Sequence, residues 1–263
     1  MLDAIWDSVR RVRERAPLVH NITNYVVMNN TANALLAIGA SPAMVHAAEE
    51  VEDFVGISSA LVVNIGTLSP PWVAAMHLAV RKANAAGIPW VPDPVGVGAT
   101  GYRTEVAGEL GALRPTVVRA NASEVMALAG AATGPTRGVD STASTNDGLE
   151  PAHRLARATG GVVAMTGVTD YVTDGTHTHA INNGHAMMAR VTGLGCSVSA
   201  LVGAFLAVEK DALLAAVSAL TVFGVAGEIA AARAAGPGSL QMQLLDVLHN
   251  LDRADLDKHA RVN

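Results

Sequence analysis

The segment VTGLGCSVSA, residues 191–200, holds the chain's one cysteine, Cys196, behind Gly193 and Gly195 and at the start of an apolar run. A helix opening there leaves its first backbone N–H groups free and presents the positive end of its dipole. Glycines let a phosphate come close to those amides, so the turn is a candidate anion site. The same position lowers a thiol's pKa and would ready Cys196 as a base or nucleophile. A small apolar residue in a buried helix would look the same, because a lone cysteine is commonly inert.

Further polar residues stand at the ends of apolar runs. Asp93 lies between Pro92 and Pro94, which fix the backbone around it. Its carboxylate suits a Mg²⁺ reached through water, and equally suits a turn-capping aspartate. Gly96, Gly98 and Gly101 make a formal G-x-G-x-x-G. That fingerprint follows a late strand, and YRTEVAGELGAL behind it reads as a poor helix, so a flexible glycine loop is the better description. RANASEV, 119–125, places Arg119 at a strand end and Glu124 in the first turn of a helix capped by Asn121 or Ser123. Asn-x-x-Glu is a capping-box variant. The chemical alternative has Glu124 and Asp93 holding a metal that bridges phosphates, with Arg119 adding charge.

Asn24, Asn29, Asn30 and Asn33 crowd an apolar helical stretch that Thr23 could cap. Asparagine disfavours helix interiors. These four fall on more than one face, so an exposed stripe does not explain all of them. His177, His179 and His185 lack a further ligand at helpful spacing, which favours a solvent-facing hairpin over a metal site. The G-x-S-x-G elbow and the Walker phosphate loop are both absent, so any use of ATP needs another kind of anion hole.

These residues need elements to hold them. Apolar runs at 41–47, 60–66, 88–94, 115–121 and 160–167 read as buried strands closed by Gly, Asn or Pro. Helical patterns at 23–40 and 69–87 alternate with them, which means βαβ units and a mostly parallel sheet. Residues 168–182 read as a hairpin turning at Asp174-Gly175, and beyond 192 the chain is nearly all helix, over about 193–208, 211–234 and 239–252. In such a sheet ligands bind outside the carboxyl ends of the strands, where the polar residues above stand. The opening MLDAIWDSVRRVRERAP reads as an amphipathic helix, and 133–148 as a polar loop. Half of the 263 residues are hydrophobic but only 3% are aromatic, so the core is aliphatic and alanine-rich. A net charge of −5 argues against nucleic acid as a partner. One cysteine allows no internal disulfide, and apolar stretches broken by Gly, Asn or Ser argue against a membrane span. A single domain over 1–263 in a cytoplasmic protein is the expectation.

Six ordered motifs carry a resemblance over nearly the whole chain: HNITN at 20–24, TANALLAIGASPAM at 31–44, DPVGVGAT at 93–100, RANASE at 119–124, TG at 166–167 and VTGLGC at 191–196. Together they resemble the hydroxyethylthiazole kinases of the ribokinase-like superfamily. The resemblance implies a three-layer sandwich, with a mostly parallel central sheet and helices on both faces. It implies ATP- and Mg²⁺-dependent phosphorylation of the hydroxyl of 4-methyl-5-(2-hydroxyethyl)thiazole, in thiamine biosynthesis or salvage. It also implies a homotrimer with active sites between subunits. By this likeness Met44, Asn24 and Val26 line the thiazole pocket, and Gly193 lies beside the substrate hydroxyl and the anion hole. Arg119 and Thr166 contact ATP, Asp93 and Glu124 lie near magnesium, and Cys196 orients or deprotonates the hydroxyl. Rival readings on the same fold are an ATP-dependent NAD(P)H-hydrate dehydratase and a hydroxymethylpyrimidine- or pyridoxal-type kinase.

Overall fold

A computed structural model describes residues 1–130 and 145–263. Four parallel strands stand in the order β2-β1-β3-β4: β1 (Leu18–Ile22), β2 (Ser41–Met44), β3 (Ala60–Asn64) and β4 (Trp90–Asp93). Beside them run β5 (Val117–Asn121) and β6 (Val162–Thr166), parallel, then β7 (Asp170–Thr173) and β8 (Thr178–Ile181), antiparallel. Thr116 N donates to Trp90 O at 3.1 Å, so the two ladders meet at β4 and β5.

Alternation along the strands makes the three layers. Val62, Val117, Val162 and Ala164 pack on one side, into a core built with α1 (Leu2–Arg15), α2 (Met28–Ile38), α8 (Leu194–Leu206), α9 (Ala212–Arg233) and α10 (Pro237–Asn250). Leu61 and Val63 pack on the other, against α3 (Val51–Ile57), α4 (Pro70–Ala86) and α5 (Gly101–Gly111). Val118, Ala120, Val163 and Met165 do the same against α6 (Ala122–Leu128) and α7 (Thr145–Thr159). Period-2 strands apolar at every position are what a sheet covered on both faces requires. A last helix, α11 (Arg253–His259), follows α10. The fold is the ribokinase-like sandwich that the motifs imply.

The differences from expectation are local. Strand β1, Leu18–Ile22, runs into HNITN and is not among the expected strands. The helix expected from Thr23 begins at Met28, with no side-chain cap. Residues 101–111 form a true helix, corrected from a loop: Thr100 Oγ1 accepts from Arg103 N at 3.3 Å, and Val106, Ala107 and Leu110 are buried. Three glycines, Gly101, Gly108 and Gly111, had hidden that i, i+1, i+4 apolar stripe. Of the polar loop at 133–148, residues 145–148 are the first turn of α7, and 133–144 lie outside the described residues. The apolar stretches do not all fall short of spanning length. α9 runs for 22 apolar-rich residues, but it is mostly buried, with Ala215, Leu220 and Val225 inside the core.

Candidate active site

Because β1, β3, β4, β5 and β6 are parallel, their carboxyl ends share one edge. That edge carries Asn24 just past β1, then Asn64, Asp93, Arg119 and Thr166. The mouth of α8 opens against it.

A buried chain of amides and carboxylate runs along this edge. Asn24 Nδ2 donates to Asn64 Oδ1 at 2.8 Å, and Asn64 Nδ2 donates to Asp93 Oδ2 at 2.8 Å. Ser199 Oγ donates to the same carboxylate oxygen at 2.8 Å. Asn64 Nδ2 lies 3.2 Å and Asn24 Nδ2 3.6 Å from Cys196 Sγ, so the thiol sits on this chain. Burial pushes the Asp93 carboxyl up, while Arg119 and the hydrogen bonds from Ser199, Asn64 and Cys196 pull it down. Burial first, and then the Asp93 charge, push the Cys196 thiol up to about 12. This corrects the expectation of a lowered thiol. The helix mouth alone favours a thiolate, but desolvation and a neighbouring carboxylate outweigh it.

The candidate anion site is built from backbone. Gly193 precedes α8 at φ 82°, a left-handed conformation that suits glycine, and a Cβ there would come within 2.6 Å of Val27 Cγ1. Ser197 N donates to Gly193 O at 2.9 Å, closing the first turn. The amides of Leu194, Gly195 and Cys196 precede that bond and have no partner within the helix. A Cβ on Gly195 would lie 2.9 Å from Arg119 Nη1, so the guanidinium rests directly on the helix mouth. Arg119 Nη2 donates to Thr166 Oγ1 at 2.5 Å, and Nη1 lies 3.7 Å from Asp93 Oδ1. Two positive ends, one from a dipole and one from a side chain, therefore converge. Outside them opens a cavity of about 610 Å³, walled by Arg119, Thr166, Gly195, Asn183, His185 and Phe223.

Glu124 has the capping role its spacing allowed. Asn121 Oδ1 accepts from Glu124 N at 3.0 Å, and Glu124 Oε2 accepts from Asn121 N at 2.9 Å. Its Oε1 accepts from Gly96 N at 2.9 Å, fastening the glycine turn. Burial, then the Asp93 charge, raise this carboxyl to about 7. Met44 and Val26 stand outside the buried chain. Met44 ends β2 half-buried, in register with Asn21, and Val26 is 63% exposed.

The crowded asparagines separate by task. Asn24 joins the buried chain. Asn30 Nδ2 donates to Thr192 O at 3.4 Å while its Oδ1 accepts from Gln241 Nε2 at 2.9 Å, so it braces the turn before Gly193. Asn29 and Asn33 pair with each other at 3.0 Å on the surface. The hairpin histidines also have local partners: His177 bonds Asp174, His179 bonds Asn263 O and His185 caps a 3-10 helix at Ala186–Arg190. Sequence reasoning gave no role to Asn64, Ser199 or Asp170. Ser199 was legible as the residue three positions after Cys196, on the same helix face.

Fold and site together define a small-molecule kinase of the ribokinase-like class. The fold alone is shared with a pyridoxal kinase from Staphylococcus aureus solved with ADP, at a TM-score of 0.64 and 17% identity, covering 81% of this chain and 88% of that one. The sequence model of the hydroxyethylthiazole kinase family matches residues 9–254. A hydroxyethylthiazole kinase from Granulibacter bethesdensis is 57% identical over 99% of this chain and 97% of its own. The solved hydroxyethylthiazole kinase from Pyrococcus horikoshii superposes at a TM-score of 0.92 with 45% identity, covering 99% of this chain and 98% of that one. The chain belongs to the hydroxyethylthiazole kinase family.

Proposed function

We propose that the protein transfers the terminal phosphoryl group of ATP to the hydroxyl of 4-methyl-5-(2-hydroxyethyl)thiazole. The observation that carries the reading is the meeting of Arg119 with the α8 mouth at Gly195, one residue from Cys196 and open to the 610 Å³ cavity. In this reading the cavity takes the nucleotide. Arg119 and the amides of Leu194 to Cys196 face its phosphates, and Thr166 fixes the guanidinium. Phosphoryl transfer is largely dissociative, so positioning and charge stabilisation outweigh proton removal. A thiol held near 12 is protonated at neutral pH. Cys196 therefore orients the substrate hydroxyl, held itself by Asn64 and Asn24. Gly193 leaves room at the turn, while Asn24, Val26 and Met44 form the thiazole side.

The donor set fits magnesium. Asp93 Oδ1 is buried without a hydrogen-bond donor, and Glu124 stands within its electrostatic reach. Two carboxylates, phosphate oxygens and waters are what Mg²⁺ prefers. Asp93 and Glu124 would hold it, and the ion would neutralise phosphate charge when bound. A homotrimer with sites between subunits is supported by exposed Tyr25, Val26 and Leu36, near β2, whose outer edge has no partner strand among the described residues. A single half-buried thiol and the use of ATP agree with a cytoplasmic setting.

The test is ADP release with the thiazole alcohol, pyridoxal and hydroxymethylpyrimidine in parallel. The thiazole alcohol is expected to lead by about 100-fold in kcat/KM. Release no greater than with ATP alone would end the proposal.

A further inference from the structure

We infer that Arg261 is a positioning residue for the nucleotide cavity. It tethers the wall segment Asn182–His185 from behind, without touching the nucleotide. The inference rests on reading the 610 Å³ cavity as the ATP site. It concerns a residue beyond the stretch 9–254 that the family model matches.

The segment needs a tether. Asn183, Gly184, His185 and Ala186 wall the cavity, between the end of β8 and the 3-10 helix. Asn183, Gly184 and His185 belong to neither element, and Gly184 adopts φ 125°. A link of this kind keeps its shape only if something satisfies its backbone groups.

Arg261 supplies that from the far side. Its Nε and Nη2 donate to Asn182 O at 3.0 and 2.8 Å, and its backbone N donates to Asn183 Oδ1 at 2.7 Å. Asn182 N donates back to Arg261 O at 2.9 Å. The guanidinium also pairs with Glu228 of α9. Glu228 Oε1 accepts from Gly184 N at 2.9 Å and from Asn183 Nδ2 at 3.1 Å. One carboxylate oxygen thus gathers α9, the wall and Arg261. Val262 bridges Ile181, and Asn263 N donates to Ala180 O at 3.2 Å, so the strap continues along the free edge of β8. One turn of α9 before Glu228 there is no slack either: a Cβ on Gly224 would meet Asn183 Cβ at 2.7 Å. The wall is thus held by α9 at Gly224 and Glu228 and by Arg261. Loosened, it must be ordered each time nucleotide binds, which weakens binding without changing the chemistry.

The experiment measures kcat, KM for ATP, KM for the thiazole alcohol and ATP binding by calorimetry. It compares the unmodified protein with Arg261→Ala, Arg261→Lys and a cavity-filling control at an exposed wall residue, Val168→Trp. Arg261→Ala is expected to raise KM and Kd for ATP about tenfold, with kcat and the thiazole KM within twofold. Arg261→Lys keeps the charge toward Glu228 and should recover part of the loss. ATP constants unchanged in Arg261→Ala, while Val168→Trp raises them, would overturn the strap and leave the nucleotide reading standing. No effect of Val168→Trp on ATP would remove the nucleotide reading and the strap with it. A fall in kcat or a rise in thiazole KM matching the ATP effect would make Arg261 a general stability residue and overturn its assignment. If Arg261→Ala fails to fold, the same readings on Arg261→Lys decide.

Discussion

Asn64 holds Asp93 and Asn24 at once: its Nδ2 donates to Asp93 Oδ2 and its Oδ1 accepts from Asn24 Nδ2, both at 2.8 Å. The same oxygen accepts from Gly66 N at 2.9 Å, and the same nitrogen touches Cys196 Sγ. One amide thereby couples the proposed metal side of the site to the thiazole side. Asn64→Ala strands a buried amide and removes a donor from a buried carboxylate. Its unfolding free energy in urea is expected to fall by about 2–3 kcal/mol. An unchanged midpoint would mean the chain of amides carries no stability.

Gly195→Ala separates stability from binding. Alanine in a helix gains up to about 1 kcal/mol over glycine, so the melting point should hold or rise. The added methyl displaces the Arg119 guanidinium, which lies 2.9 Å from where it would stand. KM for ATP is expected to rise about tenfold. A normal KM would show that Arg119 acts elsewhere.

Cys196→Ala should weaken catalysis without abolishing it. A protonated thiol supplies no free base, so the loss in kcat is expected near or below about 100-fold, the low end for proton-transfer help. The rate of the wild type should show no ionisation of Cys196 between pH 6 and 9, because the thiol sits near 12. A kinetic pKa near 7 that vanishes in Cys196→Ala would restore the thiolate base.

Glu124→Gln removes the charge and keeps one of the two oxygen acceptors, so the bond from Asn121 N or the bond from Gly96 N is retained and the other lost. The Mg²⁺ concentration giving half-maximal rate should rise about tenfold. Unchanged magnesium dependence would place the ion away from Glu124.

Asp170 gives a pH signature. Its Oδ1 accepts from Gly167 N at 2.8 Å, and burial raises its carboxyl from 3.8 to about 7. Between those values the folded chain keeps a proton that the unfolded chain has released. The contribution of Asp170 to stability therefore falls as pH rises through that window and is level above it. Asp170→Asn retains the acceptor and removes the titration. Its melting point relative to wild type should climb from pH 4 to pH 8, and a flat difference would contradict the raised pKa.

The layers were legible because strands buried on both faces are uniformly apolar, and βαβ spacing admits few arrangements. Asp93 and Cys196 were legible because one ends a strand and the other lies in the first turn of a helix; Arg119, expected at a strand end, stands mid-strand two residues before the end of β5. What sequence reasoning could not see was distance. The charge of Asp93 and the loss of water reverse the thiol shift that a helix mouth suggests, and neither neighbour is near Cys196 in sequence. The α5 helix was hidden by its glycines, and β1 by the polar residues that its last turns of chain carry into the site. The strap from Arg261 to Asn182 joins residues 79 apart, with no motif to announce it.

The buried sulfur also has a consequence for chemical durability. Thiolate is the species that alkylating agents and peroxide attack, and a group held near 12 is ionised in only about one molecule in 10⁵ at pH 7. By this geometry the chain's one cysteine is shielded from iodoacetamide and from peroxide while the chain stays folded.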